Sequence, residues 1–296
     1  TLADNATLTL AGSAAQTVTG LRGDLAAGGV RGALNVTTVA VASGLSIATG
    51  SGSNTITASA LTAGQTLTLT GSSAATVTLN AGNLSAGSYT GNLTVTGGTG
   101  ANTITAGNGT NTITGGGGAD ILTGGTGSDT FNFASAVNLG AAATVAGGAG
   151  NDTVQMTAAA TLTDAGFLNA SSVETLRLTG ASTITLGTNA ASAGIVNVTT
   201  GNAATSITSS NGVTLNVDAA ALANNIALTL VGSAAEVVTG LIGNITASSL
   251  TGTLTVVVGS TGIGKTQFGL QFARAELGQE GQNGVRFEKT HHGEAQ

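Results

Sequence analysis

The sequence predicts an all-β fold, a parallel β-solenoid built from Gly/Thr/Ala-rich repeats, and three observations carry that prediction. First, a long unit recurs: Thr1–Thr38 aligns without gaps on Ala221–Val258, with 19 of 38 positions identical. Second, a nine-residue unit repeats in tandem between other copies of the strand pattern. Third, 48 residues are glycine while proline and cysteine are absent and aromatics are 2%. So few bulky side chains suit thin stacked coils better than sandwiches, which need larger core residues. Self-similarity at a fixed period is the signature of a repeat architecture.

Along the chain, each element follows from this patterning. The copy at Thr1–Thr38 alternates apolar and small polar residues (LTL, TVT), a period-2 pattern rich in Thr and Val that reads as strand. A degenerate nonapeptide, TGSGSNTIT, follows at Thr49–Thr57, and a looser long copy runs from Leu67 to Thr96. Then come four contiguous nonapeptides: GGTGANTIT, AGNGTNTIT, GGGGADILT and GGTGSDTFN, over residues 97–132. A fifth, GGAGNDTVQ, stands apart at 147–155. Strand-and-turn patterning continues to residue 258 with no helical periodicity, and glycines mark turns that need positive φ. Residues 1–258 are therefore expected to form the solenoid, and 259–296 a separate, short αβ-like tail.

Composition excludes several classes. Charged residues are 7%, against roughly 25% in average domains, and none lies between Gly32 and Ala119. Net charge is −6 with no basic cluster, which gives nucleic-acid binding no electrostatic support. A spanning helix needs about 20 apolar residues, and Thr, Ser, Asn and Gly interrupt every apolar run, so no membrane span is expected. Leu, Val, Ile and Ala recur regularly, which argues against disorder. Absence of cysteine removes disulfides and thiolate metal sites. No charged-then-apolar leader follows Thr1, so we read the start as a fragment boundary at which a signal could have been lost. No histidine precedes residue 291, which excludes a Ser-His-Asp arrangement in the repeats. Asp164, Glu174 and Asp218 are scattered, read as solvated turn residues, and no pair has the spacing of a general acid and base.

The nonapeptide G-G-x-G-x-D-x-U-x has a mechanism. Its glycines let the backbone bend so that carbonyls point inward, the sixth residue adds a carboxylate oxygen, and the apolar eighth packs inside. Calcium takes six to eight oxygen ligands, more than one turn supplies, so an ion must lie between turns of neighbouring coils. Two nonapeptides make a coil. The facing pairs are then Asn102 with Asp120 and Asn111 with Asp129, and the buried eighth positions are Ile104, Ile113, Leu122, Phe131 and Val154. These residues resemble the RTX (haemolysin-type) calcium-binding repeats, which Gly115–Thr123, Gly124–Asn132 and Gly147–Gln155 fit fully. The resemblance implies a parallel β-roll that folds on meeting extracellular calcium. It assigns as Ca²⁺ site residues Asp120, Asp129, Asp152, Asn102, Asn111 and the turn glycines Gly115, Gly116, Gly118, Gly124, Gly125 and Gly127. Asn102 and Asn111 stand where the family has Asp. They either ligate weakly through a neutral oxygen or close calcium-free turns by side-chain hydrogen bonds. The flanking strands look like those of bacterial surface-layer and large adhesin proteins.

The tail changes character: residues 259–296 hold four of the seven Lys+Arg and both histidines. Its GSTGIGKT fits the phosphate-loop pattern G-x-x-x-x-G-K-[ST], after a strand-like TLTVVV and before a helix-like stretch at Gln267–Leu277. It resembles the opening of a RecA/KaiC-like P-loop ATPase, which implies phosphate contacts at Gly259, Gly264 and Lys265 and Mg²⁺ at Thr266, with ATP/Mg²⁺ as cofactor. Only 30 residues follow Thr266, too few for the sheet such a site needs, and the abrupt shift in composition reads as a join. The sequence thus supports a secreted, non-enzymatic structural protein of the bacterial cell surface, stabilised by Ca²⁺ and associating with itself or the surface matrix. Its alternatives are a nucleotide-binding P-loop protein and a polysaccharide-acting β-helix enzyme; the latter lacks a carboxylate cluster.

Overall fold

The computed structural model describes residues 3, 4, 6–141, 144–210, 212–258 and 285–289. Alternation of apolar and polar residues every second position is what a strand with one buried face requires, and nearly every element is such a strand. The fold is a parallel β-solenoid of about 12 turns with two short α-helices among the described residues. The chain divides into two compact units, residues 1–154 with 169–173, and residues 155–168 with 174–296.

In the first unit, successive strands fall alternately into two sheets. One holds Thr7–Gly12, Asp24–Val30, Leu45–Ala48, Thr66–Thr70, Asn83–Ser85, Thr103–Thr105, Ile121–Gly125, Thr144–Gly148 and Ala170–Ser171, in that order. The other takes the intervening strands from Gln16–Leu21 to Thr130–Phe133. Neighbouring strands pair in parallel and keep chain order, so each coil hydrogen-bonds to the coils before and after it. Inward positions stack by residue type: Leu84 on Ile104 on Leu122, and Val95 on Ile113 on Phe131. All six are at most 1% exposed. Outward positions line up as threonine columns, for example Thr55, Thr76, Thr94, Thr112 and Thr130. The χ1-stiff, β-branched side chain suits these pleated surfaces.

The second unit repeats the scheme with Ala160–Leu162, Ser182–Leu186, Thr205–Ser209, Ala227–Gly232 and Asn244–Leu250 in one sheet. The 38-residue sequence repeat is also a structural one. Thr7–Gly12 pairs with Asp24–Val30, and Ala227–Gly232 pairs with Asn244–Leu250, each with a register shift at the equivalent place, Thr9/Ala11 and Thr229/Val231. The backbone of Val285–Lys289 adds a parallel strand beside Leu254–Val258. Gly259, Gly264, Lys265 and Thr266, with the helix expected at Gln267–Leu277, lie outside the described residues.

One expectation is refined and one is corrected. Helices do occur before residue 258, at Ala136–Ala141 and Thr188–Ala193. Each is six residues long, too short for a 3.6-residue hydrophobic period to show in the sequence. And Asp164 is not a solvated turn residue. Its Oδ1 accepts N–H bonds from Gly187 (2.7 Å) and Ala190 (2.9 Å), and its Oδ2 accepts from Asn189 (3.1 Å). It caps the Thr188–Ala193 helix from a distant point in the chain. Burial would push its carboxyl up, but the three donors outweigh that and hold it below the ordinary value. Asp218 is exposed and accepts from Ala220 N, as a turn residue does.

Candidate metal centre

The nonapeptide turns connect the two sheets of the first unit, and an 18-residue coil puts like turns directly over one another. The expected pairs meet. Asp120 Oδ1 accepts the backbone N–H of Asn102 at 2.8 Å, and Asp129 Oδ1 accepts that of Asn111 at 2.7 Å. Ile104, Ile113, Leu122, Phe131 and Val154 are all fully buried. They anchor the strand after each turn and fix the sixth residue's side chain to point inward.

One ladder is longer than the tandem array suggests. Leu93 N donates to Asn111 Oδ1 (3.0 Å), Asn111 N to Asp129 Oδ1, and Asp129 N to Asp152 Oδ1 (2.7 Å). Asp152 therefore continues this edge, although 14 residues separate its unit from Asn132. Asn102 and Asp120 stand on the other edge. The sixth-position side chains Asn102, Asn111, Asp120, Asp129 and Asp152 are each at most 3% exposed.

Asn111, Asp120, Asp129 and Asp152 thus each spend one oxygen on the coil below and turn the second atom into their own turn, whereas Asn102 keeps its oxygen in its own turn, on Gly98 N. The first glycine makes room for that atom. A Cβ on Gly124 would lie 2.2 Å from Asp129 Oδ2 and 2.5 Å from Gly147 O; one on Gly115 would lie 2.3 Å from Asp120 Oδ2. At the second position the backbone bends through positive φ, 98° at Gly116 and 129° at Gly125, a region costly for any residue with a Cβ. Gly118 bends likewise, while Gly127 lies close over the coil below, where a Cβ would meet Gly109 O at 2.2 Å.

These turns match the RTX calcium-binding nonapeptide repeat. The family model covers residues 96–131 and 142–155, in four copies. No curated protein and no solved structure matches the chain.

The RTX turns of this chain offer a donor set that fits calcium, a hard cation served by oxygen. Asp129 Oδ2 is buried without a hydrogen-bond partner, beside the carbonyl of Gly147. A carboxylate has only acceptors, so it repels the carbonyls around it unless a cation lies between. Burial pushes the Asp129 carboxyl up to about 6, against the opposing backbone and side-chain N–H groups of Asn111 and with the charge of Asp152 adding to the rise. Asp120 is raised for the same leading reason. No cluster of three or more His, Cys, Asp or Glu occurs among the described residues, so backbone carbonyls must supply most ligands.

The RTX pattern did not disclose a related arrangement in the second unit. Glu236, 1% exposed, occupies the sixth place of VGSAAEVVT after Gly232 (φ 116°). Its Oε1 accepts from Ser209 Oγ at 2.5 Å, and burial pushes its carboxyl up to about 7. The readable signal was the gapless alignment of Glu236 on Gln16, a polar residue before a strand.

Proposed function

We propose that this chain is a calcium-stabilised structural protein of a bacterial surface, without catalytic activity, whose ions are held by the Asp120, Asp129 and Asp152 turns. The observation that carries the reading is Asp129 Oδ2, a buried oxygen without a hydrogen-bond partner in a turn where the Gly147 carbonyl also converges. Calcium, when bound, supplies the positive charge that joins such turns. The protein's part is to hold one carboxylate oxygen to the backbone below and to free the other for the ion. The RTX family match supports export, since such repeats occur typically in secreted proteins. Rigid, almost uncharged coils with outward threonine columns suit a load-bearing surface layer or adhesin stalk that packs against copies of itself or the surface matrix.

A polysaccharide-acting enzyme would need a groove with a pair of carboxylates. A groove of about 360 Å³ on the second unit is lined by Ala, Thr and Ser residues such as Ala160, Thr183 and Ser206, with no carboxylate or aromatic side chain.

Thermal melting with millimolar calcium and with EGTA tests the proposal. Calcium should raise the melting point, and Asp120→Ala and Asp129→Ala should each reduce the rise, because binding to the folded state stabilises it by RT ln(1 + [L]/Kd). Superimposable curves in the unmutated chain would overturn it.

A further inference from the structure

Turns with asparagine at the sixth position differ from those with aspartate in more than charge. Asn111 Nδ2 donates to Gly109 O (2.8 Å), Gly107 O (3.3 Å) and, in the turn above, Gly124 O (3.4 Å). Asn54, in a turn outside the family match, does the same: Gly52 O (2.8 Å), Gly50 O (3.4 Å) and Ala74 O of the coil above (3.3 Å). Asn102 Nδ2 reaches the coil below, donating to Gly82 O (2.6 Å) and Asn80 O (3.2 Å).

The backbone divides along the same line. The second-position glycine has a φ of 98°, 129° and 109° in the three aspartate turns, at Gly116, Gly125 and Gly148. In the three asparagine turns it does not: Gly50, Gly98 and Gly107 all lie outside the positive-φ set.

We infer that Asn54, Asn102 and Asn111 are built-in replacements for calcium. In Asn54 and Asn111 the amide –NH₂ points into the residue's own turn and ties together the carbonyls that an ion would otherwise hold; in Asn102 the oxygen accepts the Gly98 N–H of its own turn and the –NH₂ ties that turn to the coil below. An amide has two donors, a carboxylate none, so the change from Asp to Asn swaps a repulsive centre for an attractive one, and the second-position glycine takes a different φ with it. The reading rests on calcium at the aspartate turns. It divides the array into coils at Asn54, Asn102 and Asn111 that are closed with or without the ion, and coils at Asp120, Asp129 and Asp152 that close on it. Asn111 sits directly beneath Asp129, so a permanent coil presents a finished edge on which the calcium-dependent coils are laid.

Reciprocal variants of the full chain test this. Asp129→Asn keeps the oxygen that accepts the Asn111 N–H and adds a donor; Asp129→Ala removes the charge and supplies neither. In EGTA, Asp129→Asn should melt several degrees above both the wild type and Asp129→Ala. With calcium it should bind fewer ions by equilibrium dialysis. Asn111→Asp should bind an additional calcium and melt below the wild type in EGTA. An Asp129→Asn protein no more stable in EGTA than the wild type, or an Asn111→Asp protein with unchanged calcium stoichiometry, overturns the inference. A wild type that binds no calcium, together with an Asp129→Asn protein that melts higher in EGTA, sinks the calcium reading and upholds the amide closure.

Discussion

The backbone N–H of Asp129 donates to Oδ1 of Asp152 at 2.7 Å across 23 residues of chain. That bond joins the separated nonapeptide to the tandem array and places two carboxylates one above the other. The charge of Asp152 accordingly adds to the rise in the Asp129 carboxyl. Removing Asp152 should therefore disturb the turn beneath as well as its own. Asp152→Ala is expected to weaken calcium binding at the Asp129 turn by about tenfold or more. That corresponds to ~1.4 kcal/mol, or a drop of about 3–6 °C in the calcium-saturated melting point of a chain this size. Calorimetry of Asp152→Ala and Asp129→Ala, singly and together, checks it; strictly additive effects would show the two turns to be independent.

Acidity should act differently with and without calcium. Asp129 rises from 3.8 to about 6 on folding, and Glu236 from 4.5 to about 7. Raised carboxyls favour the metal-free fold below their unfolded values, and that contribution disappears as pH climbs through the folded ones. Asp164, lowered in the fold, acts in the opposite sense, lost only as pH falls below its ordinary 3.8. In EGTA the melting point should thus decline between about pH 4 and 7. Calcium should reverse the decline near neutrality and lose affinity below about 6, where protons compete for Asp129. A melting point in EGTA that rises steadily over that range would contradict the assignment.

Gly124→Ala tests the cradle. Its Cβ would stand 2.2 Å from Asp129 Oδ2, the end of a buried carboxylate already held through Oδ1 by Asn111 N, and 2.5 Å from the backbone oxygen of Gly147. We expect the calcium-dependent gain in melting point to vanish while the first-unit coils below the Asn111 turn keep their hydrogen-exchange protection. A full calcium response in Gly124→Ala would rule out an ion at this point.

Phe131 fills the eighth position above Ile113 and is fully buried. Truncating a buried Phe to Ala typically costs about 3–5 kcal/mol. Phe131→Ala should lower stability by that order both in calcium and in EGTA, because the lesion is in packing rather than at the ion. Chemical denaturation in the two conditions separates the cases; loss confined to calcium would give Phe131 a role in the site itself.

Asp164→Ala leaves three backbone N–H groups at Gly187, Asn189 and Ala190 without their acceptor. A cap of this kind contributes about 0.5–2 kcal/mol. The expected result is a small fall in stability with calcium binding unchanged. Exchange at those three amides should rise well above that of neighbouring coils, and unaltered protection there would refute the capping role.

The strands, the two-nonapeptide coil, the pairing of Asn102 with Asp120 and of Asn111 with Asp129, and the buried row from Ile104 to Phe131 follow from the linear pattern alone. A solenoid of constant period makes this possible: a residue's spatial neighbour lies a fixed 18 positions away, so one-dimensional spacing carries three-dimensional contact. Where the period breaks, that link breaks too. The residues inserted between Asn132 and Gly147 hide the alignment of Asp152 with Asp129, and only the folded chain shows that the inserted segment leaves the ladder intact. Asp164 looked like an isolated acid because the N–H groups it serves lie 23 to 26 residues ahead, outside any repeat. The asparagines were visible as departures from the nonapeptide, but whether each presents its oxygen or its amide depends on which carbonyls converge on it. That convergence is set by coils stacked above and below, and no local run of residues encodes it.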